Sequence, residues 1–244
     1  MVLVVLISTT FLLPVSAYDF MEGGIYYNVL SKKEHTVSVT YKDSRVEKML
    51  IQSSYKGHVV IPRTVTHNGV KYTVVELGKK AFCYADNLLS VTIPNTVRAI
   101  RWFALAYTGI SSVNIPESVV VIEGGAFRQS MKIKTIKVSP RNPYFRTVDN
   151  VLFTKQMTSL IFCAPGNVRK VYTVPSKVHK IYDAAFACCT IYTIKINSNV
   201  TEFVRDPFYS LYFLKSINKT KNSAKRTREC GIPGWPGICT KKTL

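Results

Sequence analysis

The sequence predicts a β-rich solenoid built from coils of about 22 residues, with little helix and an N-terminal β-hairpin cap. Three observations predict it. First, a short apolar strand closed by Ile-Pro or a close variant recurs at Val91–Pro94, Val113–Pro116 and Tyr172–Pro175, with degenerate copies at Val59–Pro62, Ile136–Ser139 and Ile194–Asn197. Second, an apolar residue followed four and five positions later by an Ala-Phe-like pair recurs in phase. The sets are Leu77/Ala81/Phe82, Ile100/Ala104/Leu105, Ile122/Ala126/Phe127, Ile181/Ala185/Phe186 and Phe203/Pro207/Phe208. Third, the step from Ile93 to Ile115 is 22 residues, and so is the step from Val174 to Ile196. A fixed period in the twenties means stacked coils, each of which buries its apolar face only against its neighbours.

In chain order, residues 1–17 read as a secretory signal peptide. Val2 to Val15 is uncharged and largely apolar, and Val15-Ser16-Ala17 offers small residues for cleavage. The run has no Lys or Arg before it, and the competing reading is a buried first strand. It is too short for a comfortable membrane span, and no other stretch is long and apolar enough for one. Residues 18–57 read as the cap: Gly24–Leu30 and Thr36–Tyr41 are β-rich runs joined by the polar turn Ser31-Lys32-Lys33-Glu34. Such a hairpin shields the open edge of the first coil.

Residues 58–217 carry the repeat, with two insertions. The step from Ile61 to Ile93 is 32 residues. Asn68-Gly69, flanked by Thr66-His67 and Val70–Val74, accounts for the excess as a two-residue hairpin turn. A longer insertion separates Val138 from Val174. Val148–Thr154 and Leu160–Gly166 read there as two strands joined by Lys155-Gln156-Met157-Thr158, making one irregular coil. Residues 218–244 lose the repeat, turn basic and end Gly/Pro-rich, the composition of a disordered tail.

The repeat Ile-Pro-x-x-Val-x-x-Ile-x-x-x-Ala-Phe resembles the BspA-like class of leucine-rich repeats. Tyr18-Asp19-Phe20 with Gly24–Asn28 is similar to the leading segment of secreted members. Asn142-Pro143, Val148–Leu152 and Leu160–Gly166 are similar to the family's long repeat. The likeness covers roughly residues 18–214, and it departs at Leu105 (for Phe), at Pro207 (for Ala) and in the tail. It implies a right-handed leucine-rich-repeat solenoid. It further implies a secreted or cell-surface protein that adheres to host matrix proteins or other cells, without enzymatic activity or cofactor.

Solenoids present a long repeated face to large partners. With Leu88, Val91 and Ile93 inward, strand alternation points Ser90 and Thr92 outward. The equivalents are Ser112 and Asn114, Thr135 and Lys137, Val171 and Thr173, and Thr193 and Lys195. These residues form the candidate partner-binding face, small and polar with a basic bias late in the chain. A solvated ladder of β-formers is the plainer reading of them, and the face carries no aromatic cluster.

The formal net charge is +19, and from Lys215 onward eight Lys or Arg residues face the single acid Glu229. Such an excess attracts anionic partners. Lys219, Lys221, Lys225, Arg226 and Arg228 are the candidate polyanion site, for sulfated glycan or nucleic acid held through charge. A solvated tail is the plainer reading, and export favours polyanions outside the cell. Asn199-Val200-Thr201 and Asn218-Lys219-Thr220 are glycosylation sequons.

Catalytic and metal motifs are absent from the sequence. His35, His58, His67 and His179 lack ligand spacing, so no metal or small-molecule substrate is expected. Six cysteines are scattered without a Cys-x-x-Cys pair. Cys189 falls at an inward position, which sets aside a Cys189–His179 nucleophile and base. Cys230 and Cys239 flank Gly-Ile-Pro-Gly-Trp-Pro-Gly-Ile, where a small disulfide loop and two free thiols both remain open.

Overall fold

A computed structural model describes residues 17–43, 45, 52–167 and 169–219, and each element it describes is a strand. Phe20–Glu22, Ile25–Ser31 and Thr36–Thr40 form an antiparallel meander. The expected hairpin is its second half. Phe20 supplies the extra strand, stacking on His67 with ring centroids 4.3 Å apart, while Tyr27 lies fully buried beneath. Thr36–Thr40 then pairs in parallel with Val70–Leu77, so the cap runs into the solenoid sheet rather than standing apart from it.

Each coil has three sides. Along the first, Gly57–Val60 pairs in parallel with Leu88–Thr92, Ser112–Ile115 with Thr135–Val138, and Val171–Thr173 with Thr193–Ile196 and then Ser216–Lys219. These strands make the first ladder. Along the second side, Val70–Leu77 pairs with Ala99–Ile100 and that strand with Val121–Ile122. Beyond the long repeat, Ser159–Cys163 pairs with Lys180–Ile181 and that strand with Glu202–Phe203. The inward column of this second ladder includes Leu77, Ile100, Ile122 and Ile181, all buried, as the period requires.

The third side is the Ala-Phe turn. Its inter-coil bonds are backbone ones: Phe82 N–H donates to Ala104 O at 2.9 Å, Leu105 N–H to Ala126 O at 2.8 Å, and Phe186 N–H to Pro207 O at 2.9 Å. To present these groups each turn places two residues in the left-handed region four apart: Lys80/Tyr84, Phe103/Tyr107, Gly125/Gln129 and Ala184/Cys188. The last turn uses Arg205/Ser210 instead, five apart. Pro207 is the cause, because the residue before a proline is pushed toward extended geometry and Asp206 cannot take the left-handed role.

The irregular coil differs from its expected form. It holds three strands, Phe145–Val148, Val151–Thr154 and Ser159–Cys163, in an antiparallel meander. Val148–Thr154 is therefore not one strand. Asp149 and Asn150 both have positive φ (50° and 59°) and make a tight hairpin turn, a role that Asp and Asn tolerate. Asn68 and Gly69 adopt the same geometry in the first insertion, as expected.

The core divides at this coil into two clusters, before and after it. Phe127 meets Phe162 at 5.1 Å within the first cluster, and Phe186 stacks on Phe208 at 5.8 Å within the second. The leader, apart from Ala17, and the tail with Lys221, Lys225, Arg226, Arg228, Cys230 and Cys239 lie outside the described residues.

Candidate functional site

Strand alternation and ladder register together place the outward residues in columns. Thr135 lies beside Ser112 and Lys137 beside Asn114. Val171, Thr193 and Ser216 form one column further on, and Thr173, Lys195 and Asn218 the next. Thr92, Ser112, Asn114, Lys137, Thr173 and Lys195 are exposed; Ser90, Thr135 and Thr193 are half-buried. Leu88–Thr92 carries a bulge opposite the Gly57/His58 step, which leaves Leu89 51% exposed. Neighbouring side chains bond along the columns: His58 Nδ1 sits 2.8 Å from Ser90 Oγ, and Thr193 Oγ1 3.1 Å from Ser216 Oγ. Lys219 is exposed in the last strand opposite Ile196.

This face is not free of aromatics in its last coils. Tyr192 lies one residue before Thr193, between Lys170 and Lys215: its N–H donates to Lys170 O at 2.9 Å, and Lys215 N–H donates to Tyr192 O at 2.8 Å. The Lys215 ammonium lies 5.3 Å from the Tyr192 ring, and Phe213 meets that ring at 6.3 Å.

A larger aromatic set lies on the turn side. Tyr84 stacks on Tyr107 at 4.5 Å, and Trp102 on Phe103 at 3.8 Å. The Arg128 guanidinium covers the Tyr209 ring at 3.5 Å and reaches Asp183 at 3.6 Å. Lys79, Lys80 and Arg205 surround Trp102 at 5.4, 5.6 and 5.7 Å. Hydrogen bonds from Arg128 and then Tyr107 lower the Tyr209 phenol pKa, whereas burial raises that of Tyr107. These rings cover one another, so the cluster seals the turns rather than offering an open platform.

The sequence reading missed this cluster, since Arg128 and Tyr209 are far apart in the chain. The long repeat contributes no turn of its own, and Gly125 N–H donates directly to Asp183 O at 3.0 Å, so turns on either side of it stack. The signal is nonetheless present: the sixth residue after each inward apolar residue is Cys83, Ala106, Arg128, Ala187 and Tyr209, a single column once the coils are aligned.

The inward cysteine is where its phase predicts. Cys189 is 1% exposed and its thiol donates to Cys163 O at 3.3 Å. Contact with the Cys163 thiol, then burial, raises its pKa. His179 instead holds the Asn199 carbonyl at 3.1 Å on an exposed corner, so the two are not brought together. Among the described residues, no three His, Cys, Asp or Glu side chains gather as a metal site, and no helix is long and apolar enough to cross a membrane. One open hollow of about 350 Å³ lies between the ladders, lined by Thr73, Val75, Asn95, Thr96, Arg98 and Ser118. It brings together hydroxyls, an amide and one guanidinium, without a nucleophile and base in reach of each other.

Parallel ladders joined by buried apolar columns at a 22-residue step define a leucine-rich-repeat solenoid of about six turns. The BspA type leucine rich repeat family matches in six copies over residues 64–171 and 161–230, and the chain belongs to it. Among solved structures, the pneumococcal vaccine antigen PcpA shares the fold with a TM-score of 0.55 at 15% identity, over 81% of this chain and 69% of that one. A leucine rich cell surface protein from Faecalibacterium prausnitzii aligns with a TM-score of 0.48 at 16% identity, over 82% of each chain. A leucine-rich repeat protein from Eubacterium ventriosum aligns at 0.47 and 13% identity, over 81% of this chain and 70% of that one. No curated protein shows a significant match to the chain.

Proposed function

We propose that this is an exported or cell-surface protein that binds large protein partners through the outer face of its first ladder, as an adhesive module working without cofactor or catalysis. The observation that carries the reading is the in-register stacking of Ser112 on Thr135 and of Asn114 on Lys137 across a parallel strand pair, with Ser112, Asn114 and Lys137 exposed. A face of this kind holds many weak contacts at fixed spacing, so affinity grows with the length of partner engaged and no deep pocket is needed. Family membership supports the surface setting, and the apolar run before Ala17 supports export.

The test is binding of the full chain to immobilised fibronectin and fibrinogen at moderate salt, beside Ser112→Arg/Asn114→Arg. Those substitutions add bulk to the exposed columns and leave the inward residues alone. At least tenfold weaker binding by the variant is expected. Equal binding by parent and variant, or none by the parent to either matrix protein, overturns this assignment.

A further inference from the structure

In the last three coils the first ladder changes character. Its segments 169–177, 190–197 and 211–219 contain no Asp or Glu, while Lys170, Lys195 and Lys215 are all exposed. Arg169, which opens the first of these segments, pairs with Asp149 at 3.0 Å, and cations on the other sides pair with acids across coils: Lys180 with Glu202 at 2.7 Å, Arg128 with Asp183, and Arg101 with Glu76 and Glu123. Among the described residues, none of these three lysines makes an ion pair. Charge without a partner, repeated across adjacent coils, keeps its full attraction for an external anion.

Open apolar surface lies beside these lysines. Phe213 is 51% exposed, Tyr212 78% and Val171 49%. Phe213 meets the half-buried Tyr192 edge-on at 65°, and its 51% exposure leaves ring surface uncovered. Lys170 and Lys215 flank Tyr192 one coil to either side, so their backbones stand about 9–10 Å apart along the solenoid axis.

We propose that Lys170, Tyr192, Lys195, Phe213 and Lys215 form a binding site for a linear sulfated polysaccharide lying along the axis of the last three coils. The separation of the two flanking lysines is on the scale of a disaccharide, so successive sulfates meet successive cations. The apolar C–H face of an intervening sugar ring packs on the exposed aromatic surface. Two rings at 65° suit one sugar ring in the corner between them, whereas consecutive stacked bases require parallel rings. The proposal rests on the exported reading above for its access to extracellular glycan. It adds a ligand class to that reading and moves the polyanion site from the tail onto the solenoid.

Four full-length chains test it: the parent, Lys170→Gln/Lys195→Gln/Lys215→Gln, a tail set (Lys221→Gln/Lys225→Gln/Arg226→Gln/Arg228→Gln) and a cap set (Lys32→Gln/Lys33→Gln/Lys42→Gln). Heparin affinity is read across a salt series, with a single-stranded oligonucleotide of matched length as the second probe. The coil set should lose at least tenfold in heparin affinity, with its salt slope reduced by about two to three. The tail and cap sets should lose less. A fifth chain, Phe213→Ser, should weaken heparin binding without changing the slope, because it removes packing and no charge. Heparin binding by the coil set equal to the parent, or abolished by the tail set alone, overturns the site. Tighter binding of the oligonucleotide than of heparin overturns the ligand class. Fibronectin and fibrinogen binding, measured on the same four chains, reports separately on the adhesive reading.

Discussion

The Asn142 side-chain amide donates to the Val119 carbonyl at 2.9 Å, tying the long repeat to the coil before it. The same nitrogen donates to Pro116 O at 2.8 Å, and Oδ1 accepts from the N–H groups of Tyr144 and Phe145, both at 2.8 Å. Asn142 is fully buried, and its bonds to Pro116 O, Val119 O and Phe145 N–H are buried with it, so water does not replace them if the amide is removed. Asn142→Ala should therefore destabilise the fold by about 3 kcal/mol or more, since several buried backbone groups are orphaned together. Asn197, half-buried, makes the analogous bond to Pro175 O at 2.7 Å, and Asn197→Ala should cost less. Urea unfolding of the two variants checks the order.

The phase of the repeat can be tested at Phe127 and Phe186, which are 2% and 0% exposed. Phe127 touches Phe162 of the long repeat within the first core cluster, and Phe186 lies between Tyr172 and Phe208 in the second. Replacement by Ala should cost roughly 3–5 kcal/mol at either site, the usual loss for a buried aromatic. Denaturant midpoints measure this directly, and a loss below about 1 kcal/mol at both would contradict the inward assignment.

These two cases also show what a sequence can reveal. Inward columns such as Leu77, Ile100, Ile122 and Ile181 were legible because burial repeats at the coil period, and the outward columns follow from alternation. The strand Phe145–Val148 was not legible, because Asp149-Asn150 lacks the glycine that marks the Asn68-Gly69 turn. The Arg128–Tyr209 contact depends on turns stacking past a coil that supplies none, a fact of topology rather than of local pattern. Tyr192 and Phe213 were hidden for another reason: Tyr192 sits just before the strand residues whose alternation was read, and Phe213 precedes a strand, Ser216–Lys219, where the repeat is already fading.

Gly109 is required by space rather than by dihedral angle. A Cβ there would stand 2.1 Å from the Asp86 backbone oxygen, which cannot move without opening the preceding coil. At Gly69 the φ of +76° is unfavourable for other residues, but a Cβ would meet nothing within 4 Å. Gly109→Ala should thus cost about 2–3 kcal/mol through overpacking, against roughly 1 kcal/mol for Gly69→Ala through backbone strain alone. Thermal unfolding of both variants at one pH gives the comparison.

Alkaline pH should weaken the fold through its buried thiols. Burial pushes Cys83 up to about 12, and the nearby Lys80 ammonium offsets only part of this. Cys188 is likewise pushed up to about 11 by burial. In the unfolded chain these thiols ionise near 9.0. Below that value both states hold the proton and stability is complete. Above it the unfolded chain releases protons that the folded chain keeps, so stability falls as pH rises, for Cys83 at up to about 1.4 kcal/mol per pH unit. Cys83→Ala suits the test, because Ala106 and Ala187 already occupy the same column position. Its urea midpoint should decline less steeply than the parent's between about pH 9 and about pH 10.5, where the unfolded thiol ionises and the folded one does not. Some decline should persist, since burial also raises Tyr55 and Tyr172. Identical slopes in the two chains would mean that Cys83 ionises as readily inside the fold as outside it.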